Sequence, residues 1–118
     1  MKTRLLLPIV TLALIGSTSF CSAAPSIKDV MKAAMKGDDS LFKKVSTGKG
    51  TDADTAKLYN CLKNMAGQKA PKGDQAAYDS KTDTLIKAAE AVSKGGKDFQ
   101  ALSQAGNCKA CHTDHKGK

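Results

Sequence analysis

Tryptophan is absent from this sequence, and its one arginine, Arg4, stands among the first residues. Aromatic side chains make up 4% of the chain, three Phe and two Tyr. Proteins that hold nucleic acid usually present a clustered basic face with arginine or stacking aromatics. Here the formal net charge of +8 is nearly all lysine, scattered along the chain rather than blocked. Scattered lysine suits a solvated surface and an acidic partner protein, and no nucleic-acid partner is expected. Repeats, low-complexity tracts and any convincing strand pattern are missing as well. So is a constellation for hydrolysis or group transfer, and no enzyme activity is expected.

Long apolar runs are also lacking. The best of them, LLLPIVTLALIG, is short and interrupted by Pro8 and Gly16, which disfavours a spanning helix and an integral membrane protein. It follows a basic MKTR and precedes the small-residue stretch STSFCSAA. That order predicts a secretory signal peptide over residues 1–23, cut after Ala23, and a single domain over 24–118. Cys21 would suit lipid attachment, but the bulky Phe20 before it argues against that reading.

Large apolar side chains are few in the remaining domain, so its core is modest and a staple or prosthetic group is expected. Cys61, Cys108 and Cys111 survive the cut, and an odd number makes no tidy disulfide framework. Cys61 shares an apolar stripe with Leu58, Leu62 and Met65 at helical spacing and reads as a buried free thiol, with an intermolecular disulfide as the alternative.

The polar breaks divide the domain into helices. Ser26 is the expected N-cap, with Asp29 three residues on, of a first helix carrying Ile27, Val30, Met31, Ala34 and Met35. Gly37 stops it, and a short piece follows with Leu41, Phe42 and Val45 inward, capped by Asp38 or Asp39. A third helix runs from about Asp52 to Ala66. A fourth starts near Asp74, with Tyr78, Leu85, Ala88, Ala89 and Val92 inside. The last starts near Asp98 and carries Phe99, Leu102 and Ala105 on towards Cys108, Cys111 and His112. Short loops between such helices favour an all-α, antiparallel up-down four-helix bundle.

Cys108-Lys109-Ala110-Cys111-His112 is C-x-x-C-H, the attachment signal for c-type haem. Two thiols three residues apart can add to the two vinyl groups on one porphyrin edge, and the next side chain can bring an imidazole to the iron. Other uses of these residues are a redox dithiol, which wants a βαβ setting that is missing; a zinc site from Cys108, Cys111, His112 and His115; and a plain Cys108–Cys111 disulfide. The expected cofactor is one covalently attached haem c, with Cys108 and Cys111 as anchors and His112 as the proximal iron ligand. Residues 113–118 contain no methionine, which puts any methionine ligand upstream.

A helical chain with CKACH in its last helix resembles the class II c-type cytochromes, the group of cytochrome c′ and the low-spin cytochromes c-556. The resemblance implies a four-helix bundle with its haem-attachment helix C-terminal, electron transfer in the bacterial periplasm, and a distal haem side facing the first helix. In low-spin members a methionine of that helix is the second axial ligand. Its depth in the helix matches Met35 better than Met31, while Met65 on the third helix reads as core. Members of the cytochrome c′ type leave the sixth position open, and the alternative function is that of a five-coordinate, gas-binding haem protein. Lys28 or Lys32 would take the place of the arginine that often accompanies the propionates in this family. A redox partner protein with an acidic docking surface is implied, and a homodimer through the first two helices is compatible with the family. His115, Asp114 and Lys116 read as exposed tail residues, with His115 near a propionate.

Overall fold

The computed structural model describes residues 25–117. The expected signal peptide and Cys21 therefore lie outside the described residues. Among the described residues there is no strand: the chain is all-α.

Capping chemistry sets most helix starts. Ser26 and Asp29 form the expected capping box: the Asp29 amide donates to the Ser26 hydroxyl (3.2 Å), and the Asp29 carboxylate accepts from the Ser26 amide (3.0 Å). The Ser26 hydroxyl also donates to that carboxylate, which holds the Asp29 carboxyl below its ordinary pKa. This box opens α1 (Ile27–Val30), which passes directly into a π-helical turn (Met31–Met35). The single long first helix expected from the periodicity is thus half α and half π. Gly37, at φ +94°, ends it.

The next helix, α2 (Leu41–Ser46), is capped by Ser40 rather than by Asp38 or Asp39. The Ser40 amide donates back to the Gly37 carbonyl (3.2 Å), and its hydroxyl then accepts from the Lys43 amide (3.2 Å). Thr51 and Asp54 make a second capping box at α3 (Asp52–Lys63). This helix stops short of Ala66, where the Asn64 side chain turns back to the carbonyls of Asn60 (2.9 Å) and Cys61 (3.3 Å). Asp74 opens α4 (Gln75–Ser93), and Asp98 opens α5 (Phe99–Ala105), each side chain accepting an amide three residues on at 2.9 Å.

The last expected helix is two. Its first part, α5, ends at Gly106, and α6 (Cys108–His115) starts afresh with Asn107 accepting from the Ala110 amide (3.1 Å). A tertiary contact imposes the break. The Phe42 ring lies so close to Gly106 that a Cβ there would meet its Cζ at 2.1 Å.

The core joins Val30, Ala34, Phe42, Val45, Leu58, Leu62, Met65, Leu85, Ala89, Val92 and Leu102. The α3 helix packs mainly on α4, and α4 also meets α5. The α2 segment is wedged between α3, α5 and the π-helical turn, and α6 rests on α4. Met65 is core, as expected. Cys61 is buried as expected, but it is disulfide-bonded, which corrects its reading as a free thiol. No helix among the described residues is long and apolar enough to cross a membrane.

Candidate functional site

In a helix, residues at i, i+3, i+4 and i+7 share one side. Cys108, Cys111, His112 and His115 stand in that relation along α6. The first three line a cavity of about 660 Å³, a volume within the range of small-molecule and cofactor pockets. Met31 and Met35 of the π-helical turn line the same cavity, together with Leu85 of α4 and Ala105 of α5. Three stretches distant in sequence, within residues 28–36, 80–85 and 104–116, therefore converge on one hollow.

Both α6 cysteines are free thiols, so the disulfide alternative is not realised. Cys108 is exposed and donates to the Gly106 carbonyl (3.3 Å). Cys111 is partly buried. Burial is the main cause that raises its thiol pKa, with Cys108 and Asp114 adding to the rise and Lys81 opposing it. The sulfur is therefore held as S–H at neutral pH. His112 is exposed towards the cavity.

The rim is basic. Lys28, Lys32 and Lys36 come from the first helical segment, Lys81 from α4 and Lys116 from the tail. Lys28 and Lys32 were expected near the site; Lys36, Lys81 and Lys116 were not. Lys81 also bridges two helices. Its ammonium donates to the Asp114 carboxylate (2.6 Å) and to the Ala110 carbonyl (3.4 Å), tying α4 to α6. The Lys81 contact holds the Asp114 carboxyl below its ordinary pKa. Asp114 is exposed as expected, but paired.

His115 departs from expectation altogether. It is 3% exposed, not solvated beside the cavity, and it does not line that cavity. Its Nδ1 lies 3.0 Å from the Lys72 carbonyl, and its ring meets Tyr78 edge-on at 5.6 Å. A sequence signal existed: His115 is seven residues after Cys108, on the motif's own face. Among the described residues no three His, Cys, Asp or Glu side chains are grouped to hold a metal ion. The alternative zinc set of Cys108, Cys111, His112 and His115 is not assembled, and His115 is turned into the loop before α4.

Compared with protein-family models, with curated proteins and with solved structures, the chain matches none.

The residues present fit a covalently bound haem. Two accessible thiols and an imidazole on one face, two thioethers from another segment, an apolar floor and lysines suited to carboxylates make up the donor set such a group requires.

Proposed function

We propose that this protein is a monohaem c-type electron-transfer cytochrome of the bacterial periplasm, with one haem c bound covalently by Cys108 and Cys111 and held axially by His112 and Met35. One observation carries the reading: both cysteines and the histidine of C-x-x-C-H line a single cavity with both methionines of the first helical segment. The proposal extends to the architecture: an antiparallel up-down four-helix bundle made of α1 with its π-helical turn, α3, α4, and α5 followed by α6. The order of neighbours, α3 on α4 and α4 on α5, supports it.

Bound haem supplies an iron that alternates between two oxidation states, so that one electron is stored and released. The chain's own residues have separate tasks. Cys108 and Cys111 hold the group without relying on affinity, which suits a domain with a modest core. His112 would offer one imidazole nitrogen to the iron and Met35 a thioether sulfur, a pairing that would raise the potential relative to two histidines. Lys28 or Lys32, both on the cavity rim, would pair with the propionates. The remaining lysines give the cavity mouth a positive field that draws an acidic redox partner.

The deciding test is a pyridine haemochrome spectrum of protein produced in a host able to mature c-type cytochromes. The reading expects one haem per chain with the band position of two thioether links. A colourless product with both thiols free would end it. For the partner, electron exchange should slow as ionic strength rises, because screening weakens attraction between exposed charges. A rate flat from low to physiological salt would remove electrostatic docking.

A further inference from the structure

We infer that His115 is a positioning residue: by anchoring the end of α6 it fixes the helix's rotation, and so aims Cys108, Cys111 and His112 into the cavity. The value of that aim rests on the haem reading; the anchoring itself does not.

A helix of eight residues is too short to hold its shape alone, and among the described residues α4 is the helix that α6 mainly leans on. Something must decide which of its faces meets the protein. The Lys81–Asp114 pair ties the two helices, but it is largely exposed, and such pairs constrain orientation weakly. Apolar burial cannot decide it either, since His115 is the one buried side chain in α6.

The imidazole is gripped from three directions. The Lys72 carbonyl can only accept, so at 3.0 Å it takes the proton of Nδ1. The Tyr78 ring stands against the imidazole at 80°. Gly73, at φ +79°, supplies a wall of bare backbone: a Cβ there would meet the Asp114 carbonyl oxygen at 2.5 Å and His115 Nδ1 at 3.1 Å. Nε2 is buried without a partner, which a lone pair tolerates better than an unsatisfied N–H. Turning α6 by one residue, about 100°, would pull the ring from this seat and leave the Lys72 carbonyl unpaired. The same turn would carry the motif's thiols and imidazole away from the cavity, since they share the His115 face.

The test reads the thiols and needs no haem. In the full chain prepared without haem, iodoacetamide should label exposed Cys108 faster than partly buried Cys111, by roughly tenfold, as read by peptide mass mapping. His115→Ala should reduce that preference to about twofold or less, and His115→Asn, which keeps a donor for the Lys72 carbonyl, should restore most of it. Lys81→Ala, which removes the ion pair alone, should leave the preference in place. Gly73→Ala leaves the sequence of α6 unchanged but crowds both the Asp114 carbonyl and the imidazole, and should act as His115→Ala does, so the test stands even if His115→Ala does not fold. An unchanged preference in folded His115→Ala or in Gly73→Ala would overturn the inference, as would loss of the preference in Lys81→Ala. A colourless protein that keeps the labelling pattern would instead end the haem reading and leave His115 in its role.

Discussion

Replacing Met35 with Ala should convert the oxidised protein from a low-spin to a high-spin absorption spectrum and let the reduced protein bind carbon monoxide. The physical basis is ligand competition. On the proposed reading a thioether from the first helical segment would close the sixth iron position, and alanine has no donor atom with which to replace it. The structure makes Met31 the natural control, because it lines the same cavity from the same π-helical turn. Met31→Ala should leave the spectrum low-spin. If Met31→Ala produces the change and Met35→Ala does not, the two assignments exchange. If the parent protein is already high-spin and binds carbon monoxide, no methionine is a ligand, and the gas-binding alternative of the cytochrome c′ type replaces electron transfer.

Gly106→Ala should lower stability by about 1–3 kcal/mol, the usual cost of forcing added volume into packed surroundings. The added methyl would stand 2.1 Å from Phe42 Cζ and 2.5 Å from Cε2. Phe42 belongs to the core and cannot retreat without opening space beside its neighbours. Urea or thermal unfolding measures the loss. Phe42→Leu in the same chain should recover part of it, giving a non-additive double-mutant cycle. Equal losses that simply add would mean that the ring and the glycine do not meet.

These two sites differ in how far the sequence announced them. Met31 and Met35 were legible, because a four-residue spacing on a capped helix puts both on one face. So were the starts of α1, α4 and α5, since Ser26, Asp74 and Asp98 act on amides three residues away, within the reach of local pattern. The interruption between α5 and α6 was not legible. Gly106 and Asn107 are mild signals inside a helical stretch, and it is Phe42, far back in the chain, that makes them a boundary. Ser40 takes the cap expected of Asp38 or Asp39 because the turn at Gly37 places its hydroxyl opposite the Lys43 amide.

The candidate site divides in the same way. C-x-x-C-H is contiguous and legible directly, while Lys28 or Lys32 is pointed to only through the resemblance to class II cytochromes. Lys81 and His115 escaped, because their roles are defined by Asp114 and by Lys72 with Tyr78, partners that only the folded chain brings near. A histidine after a polar motif looks solvated until a glycine-walled hollow is found to receive it.

The π-helical winding of residues 31–35 carries a consequence for how this protein tolerates insertions and deletions. Such a turn amounts to one residue added to an α-helix. Deleting Ala33 should therefore let ordinary α winding resume with the residues on either side kept near their present faces. Met31 and Met35 would then stand three apart and still share one side of the helix. The extra residue is slack: the first helical segment can lose it and keep two sulfurs turned to the same hollow.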